Sequence, residues 1–179
     1  MDDMLKGRRI NLRTVKRKDL DQYLEFSSDI ETRGNFFPLA LKTETSIRSR
    51  FEKDGFWSEE SGLMFIVDNL DDRILGMITF FKPVHYYDAV ELGYIVYDSR
   101  DRGKGFMPEA VLLFSAYLFA WKPIYRIQLQ IQPGNLASRR VAEKCGFKHE
   151  GTARQAIIAN GTPVDIDVYS LLRSEILSE

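Results

Sequence analysis

"YDSRDRGKGFMPEA", residues 97–110, sets Arg100, Arg102, Lys104 and two glycines directly ahead of a long apolar run. A solvated loop tolerates the charges. It does not require Gly103 and Gly105 one residue apart with a helix beginning straight after them. "AVELGYIVY" (89–97) precedes the stretch and has strand character, so the order is strand, glycine-bearing loop, helix. A helix N-terminus carries free N–H groups and partial positive charge, which suits a phosphate. Glycine lets an anion approach the backbone closely, and Pro108 fits a first helical turn, where its missing N–H costs little. A charged loop with glycines for tight turning is the plainer alternative. Two common phosphate loops are excluded. GxxxxGK[ST] fails because Lys104 is followed by Gly105, and GxGxxG fails because position 108 is proline.

The rest of the chain gives the loop its setting. A chain of 179 residues suits one domain over residues 1–179 and buries roughly 70% of its unfolded surface. Apolar residues make up 44% and charged residues 28%, ordinary values for a globular protein. The net charge of −1 offers no global field for nucleic acid or an anionic membrane. The lone cysteine, Cys145, permits no internal disulfide, and "MDDMLKGRRI" has no signal-peptide layout, so the expected setting is the cytoplasm. The longest apolar stretch, 106–121, falls short of the ~20 residues of a membrane span.

Patterning predicts strand 9–14, helix 19–29, an aromatic-rich loop 33–43, and a second helix capped by Thr43 or Thr45 and running to about Trp57. "GLMFIVDN" and "ILGMITFF" flank Asp71-Asp72 as a hairpin. Ala110, Leu113, Phe114, Tyr117, Leu118 and Trp121 recur at helical spacing, and Val111, Leu112 and Phe119 make that helix apolar nearly all round, so it should be well buried. "RIQLQIQ" (126–132) alternates as a strand. Asn135 can cap helix 136–144, Gly146 can end it, and strands 147–159 and 163–172 meet at the turn Asn160-Gly161.

Arg100, Gly103 and Gly105 form R-x-x-G-x-G, and "NLASRRVAEKCGFKHEGTAR" follows some thirty residues downstream as N-x-x-S-x-x-V-x-E-K-x-G-F-x-x-E-G. Together they resemble the Gcn5-related N-acetyltransferase (GNAT) superfamily. The tail "GTPVDIDVYSLLRSE" resembles the RimJ/RimL-type branch that acetylates ribosomal-protein N-termini, with spermidine acetyltransferases close by. The resemblance spans about residues 8 to 175. It implies an α/β fold: a mostly antiparallel seven-stranded sheet, splayed between strands four (90–97) and five (126–132), flanked by about four helices. It further implies acetyl-CoA as cosubstrate, no metal, and an amine acceptor. Pantetheine would pair with backbone near Ile95 and Val96. The pyrophosphate would sit on Arg100, Arg102, Gly103, Lys104 and Gly105, with Asn135 and Arg140 as further contacts. Asn135 as a plain helix cap and Arg140 as a solvated side chain are the alternatives.

Acetyl transfer needs a neutral amine, a polarised thioester carbonyl and a proton for the departing thiolate. Glu91 is the candidate base, because alternation puts it on one face of its strand with Gly93, Ile95 and Tyr97. Asp165 and Glu150 are weaker candidates. A backbone N–H near Ile95 can polarise the carbonyl. Many family members carry a tyrosine acid where this chain has Ala142. Ser138, one helical turn earlier on the same face, is the candidate acid instead. Phe36, Phe37, His85 and Tyr86 are candidate acceptor-pocket residues, with core packing or a surface loop as the alternative. His85 and His149 have no partners at metal-ligand spacing. The expected function is transfer of an acetyl group to a primary amine, possible acceptors being a protein N-terminus or a small molecule such as a polyamine or antibiotic. A non-catalytic acyl-CoA-binding module of the same fold is the other possibility. Monomer and homodimer both remain open.

Overall fold

Eight strands and five helices form among the described residues of the computed structural model, which are 4–29, 36, 41–84 and 86–176. The strands are β1 (Met4–Lys6), β2 (Ile10–Thr14), β3 (Ser61–Asp68), β4 (Ile74–Phe81), β5 (Ala89–Val96), β6 (Arg126–Ile131), β7 (Lys148–Ala159) and β8 (Thr162–Leu172). The helices are α1 (Leu20–Ser28), α2 (Glu44–Asp54), α3 (Phe106–Trp121), α4 (Leu136–Lys144) and α5 (Arg173–Ile176). The count exceeds the expected seven strands and about four helices. β1 spans three residues and α5 one turn, too short for either periodicity to register in sequence. The expected strands four and five are therefore β5 and β6.

The strands follow the order β1-β2-β3-β4-β5-β6-β8-β7. The chain divides into two compact units, one of residues 1–80 and 94–110, the other of 81–93 and 111–179. In the first, β1 pairs antiparallel with β2 and β2 with β3. β3 is apolar at nearly every position, and Gly62 to Val67 are all buried, as a strand covered on both faces requires. Leu63, Phe65 and Val67 pack with Leu20 and Tyr23 of α1, Ile47 of α2, Phe56 and Tyr97. Tyr23 meets Phe56 and Phe65 edge-on at 5.4 and 5.7 Å between ring centroids. Thr43 is the α2 cap, its Oγ1 accepting from Ser46 N at 3.2 Å, and Gly55 ends the helix in the left-handed region.

In the second unit β5 and β6 pair in parallel, Ala89–Glu91 against Arg126–Gln128. β6 pairs antiparallel with β8 along its length, and β8 with β7. Asn160 and Gly161 both take positive φ at the hairpin tip, the backbone a two-residue turn of this kind demands. α3 buries Ala110, Val111, Phe114 and Leu118 completely, but Leu112 and Trp121 stay about 40% exposed (41% and 39%). The expectation that this helix is well buried therefore fails along Leu112, Ala116 and Ala120, which are exposed on one face, and at its last residue, Trp121.

Candidate functional site

The loop after β5 is built by its own charges. Tyr97 N–H donates to Leu75 O, and Asp98 then caps a short 3-10 turn, its carboxylate accepting from the Arg100 backbone N–H at 2.8 Å and from the Arg100 guanidinium at 2.6 Å. The hydrogen bonds from Arg100 hold Asp98 down to about 2. Asp101 is buried and accepts from Arg73 at 2.6 Å and from Lys104 Nζ at 3.0 Å, which lowers its pKa despite burial. Arg102 closes the loop back onto the strand, Nη2 donating to Val96 O at 3.4 Å. Ile95, Val96, Arg100, Arg102, Gly103, Lys104 and Gly105 thus belong to one continuous structure within the first unit.

Both loop glycines adopt positive φ, +75° at Gly103 and +83° at Gly105, but their surroundings differ. A Cβ at Gly103 would meet nothing within 4 Å. A Cβ at Gly105 would lie 3.0 Å from Arg9 Nη2. Gly103 therefore faces open space, whereas the space left by Gly105 is taken by a side chain from the β1–β2 turn. α3 begins at Phe106; by helix geometry the N–H groups of Phe106 and Met107 lack intrahelical acceptors, Pro108 has no N–H, and the Glu109 N–H donates to Gly105 O at 3.5 Å. Glu109, in that turn, accepts from the backbone N–H of Arg8 at 2.6 Å and of Arg9 at 2.9 Å, and from Arg9 Nε at 3.2 Å. An open glycine beside a helix start, with basic side chains around it, fits a pyrophosphate. Sequence reading missed Gly76: a Cβ there would collide with Ile95 O, so β5 can approach β4 this closely only at a glycine. The signal was a lone glycine inside the apolar strand "ILGMITFF".

In the second unit Glu91 is half-buried and faces its parallel-register partner, Gln128 Nε2 donating to Glu91 Oε2 at 2.8 Å. Burial raises the Glu91 pKa, and hydrogen bonds from Gln128 and Gln130 only partly offset it. No cation pairs with Glu91 among the described residues, so the carboxylate retains proton affinity. The other two candidate bases are differently placed. Glu150 accepts both Arg126 Nη atoms, at 2.7 and 2.6 Å, and Ser170 Oγ at 2.7 Å, and the Arg126 bonds hold it down to about 2. Asp165 accepts from Gln155 N at 2.8 Å, where β7 bulges between Ala153 and Ile157.

Asn135 caps α4 through Oδ1, accepting from Ser138 N at 3.1 Å, so its side chain serves the helix. Ser138 is half-buried, and Ala142, four residues on, is fully buried. Arg139 pairs with buried Asp167 at 3.0 Å, while Arg140 is exposed and makes no ion pair among the described residues. Phe36 and Tyr86 are exposed, at 43% and 80%. Phe37 and His85 lie outside the described residues. Among the described residues no group of histidine, cysteine and acidic side chains could hold a metal, and no helix is long and apolar enough to cross a membrane.

Residues 9–148 match the Acetyltransferase (GNAT) domain family. The probable N-acetyltransferase YjcK of Bacillus subtilis is 32% identical over 187 residues, 96% of this chain and 98% of its own. The ribosomal protein uS5-alanine N-acetyltransferase of Escherichia coli is 25% identical over 134 residues, 74% of this chain and 66% of its own. The spermidine N-acetyltransferase of Vibrio cholerae, solved with CoA and spermine, has the same fold, with a TM-score of 0.82 at 19% identity over 95% of this chain and 99% of its own. With its glycine loop, its downstream block and these relatives, the chain belongs to the GNAT family and is an acetyl-CoA-dependent N-acetyltransferase.

Proposed function

We propose that the protein transfers the acetyl group of acetyl-CoA directly to the α-amine of a protein N-terminus, with Glu91 as general base and Ser138 as general acid. The observation that carries this reading is the state of Glu91: half-buried, raised in pKa, and hydrogen-bonded to neutral Gln128 rather than to a cation. In this scheme Gly103, the start of α3 and the neighbouring basic side chains hold the pyrophosphate, and backbone near Ile95 and Val96 pairs with pantetheine. Glu91 takes a proton from the acceptor ammonium. The neutral nitrogen attacks the thioester carbonyl, which a backbone N–H near Ile95 polarises, the C–S bond breaks, and the nitrogen gives its second proton to solvent. The Ser138 hydroxyl gives its proton to the departing sulfur and regains one from solvent. A thiol of pKa ~8.5 leaves readily, so a weak acid suffices.

An α-amine near pKa ~8 is neutral in about one molecule in ten at pH 7, whereas a lysine is neutral in about one in 10³. One uncommitted carboxylate suits the first better than the second. The similarity to an enzyme that acetylates the alanine of ribosomal protein uS5 favours the same acceptor class. The test is product mass spectrometry on a panel of N-terminal peptides, polyamines and lysine-bearing peptides with blocked α-amines. Turnover on free α-amines with little on the others is expected. Preference for a polyamine or for a lysine side chain would refute the acceptor assignment.

A further inference from the structure

The cations of the loop are not equally available. Arg100 gives Nε and Nη2 to Asp98, and Lys104 gives Nζ to buried Asp101. Arg9, ninety-five residues away in sequence, reaches the same loop from the turn between β1 and β2. Gly7 makes that turn possible, because a Cβ there would lie 2.7 Å from Glu109 Oε1 and 2.5 Å from Ile10 O. Glu109 then fixes the turn through its backbone N–H groups and orients the guanidinium through Arg9 Nε. Arg9 Nη1 donates to Lys104 O at 2.8 Å, and the guanidinium carbon stands 5.3 Å from the Phe106 ring centroid. Arg9 Nη2, 3.0 Å from where a Gly105 Cβ would sit, donates to no atom among the described residues, and the side chain is 52% exposed.

We propose that Arg9 is a further ligand of the cosubstrate, its Nη2 donating to a pyrophosphate oxygen held over Gly103. The guanidinium is held on three sides, by Glu109, the Lys104 carbonyl and the Phe106 ring, and presents its remaining nitrogen beside Gly105, two residues from open Gly103. A planar fork fixed in this way loses little freedom on meeting an anion, which a flexible lysine cannot match. Gly105 has a separate role from Gly103: it admits Arg9, and Gly103 admits the phosphate. The proposal rests on the assignment of this loop to the pyrophosphate.

Equilibrium binding of three probes tests it: acetyl-CoA, its 3′-dephospho form, and S-acetyl-pantetheine, which carries no phosphate. Arg9→Met keeps an apolar stem over Phe106 and removes the charge and donors. It should weaken acetyl-CoA and the 3′-dephospho form equally, by about tenfold or more, and leave S-acetyl-pantetheine unchanged. Arg9→Lys restores a cation without the fork and should recover part of the loss. Wild-type affinity in Arg9→Met, an equal loss for S-acetyl-pantetheine, a loss confined to the probe with the 3′-phosphate, or no recovery in Arg9→Lys would each overturn the assignment. If wild-type protein itself does not prefer acetyl-CoA to S-acetyl-pantetheine, the loop does not bind pyrophosphate at all, a failure distinct from that of Arg9.

Discussion

Replacing Glu91 with glutamine removes a proton acceptor and little else. The amide oxygen can still accept from Gln128 Nε2, so the cross-strand contact at 2.8 Å and the local volume survive. General acid–base groups contribute about 10²–10⁴-fold, so kcat should fall by that factor at pH 7, a barrier increase of about 2.7–5.4 kcal/mol. Stability should move the other way. Burial raises the folded-state pKa of Glu91 above its ordinary value of 4.5, so the folded protein disfavours the carboxylate. That cost is fully present above the folded pKa and disappears as pH falls below 4.5. Glu91→Gln removes the cost, so at pH 7 the variant should melt at or above the wild-type temperature, with the difference closing near pH 4. Thiol release with one confirmed acceptor, followed from pH 6 to 9, gives kcat, and parallel melts give stability. The rate defect should shrink towards pH 9, where more amine is already neutral. Near-normal turnover across that range would refute Glu91 as the base. A melting temperature that falls together with the rate would make it a structural carboxylate.

Glu150→Gln is the matched control: turnover should persist, because a carboxylate held at about 2 by Arg126 is a poor base at neutral pH. Since its folded pKa lies below the ordinary 4.5, the stability it provides is present above that value and lost as pH falls towards 2, so the variant's deficit should vanish in acid melts. Gly103→Ala and Gly105→Ala should each destabilise the free protein by about 1–2 kcal/mol, the penalty of the left-handed region for an L-residue. Gly103→Ala should also weaken acetyl-CoA, measured by calorimetry, and unchanged affinity in the folded variant would remove the loop from the site. Asn135→Ala should lower stability by about 1 kcal/mol through loss of the α4 cap, or about 2–4 °C in melting temperature. A large loss of acetyl-CoA affinity there would instead give Asn135 a cosubstrate contact. Ser138→Ala should lower kcat modestly at all pH values without changing acetyl-CoA affinity, and a silent variant would mean that the thiolate takes its proton from water.

Much of this fold is written in short stretches of sequence. Helix 136–144 is announced by Asn135 before it and Gly146 after it, and β6 by the alternation of "RIQLQIQ". The β7–β8 turn is announced by Asn160-Gly161, whose backbone only such residues adopt without strain. The glycine loop was legible because glycine spacing, basic side chains and a helix start fall within seven residues, 100–106. Tertiary structure decided the rest. It set Glu91 apart from Glu150, identical side chains whose proton affinities differ because burial raises the one while hydrogen bonds from Arg126 lower the other. It split the two loop glycines by bringing Arg9 against one of them, and it gave Gly76 a purpose by laying Ile95 O across it. Capping and alternation act within a few bonds of the chain and leave a local pattern. Proton affinity and close approach depend on whichever groups folding brings within a few ångströms, and residues as far apart as Arg9 and Glu109 leave no spacing to read.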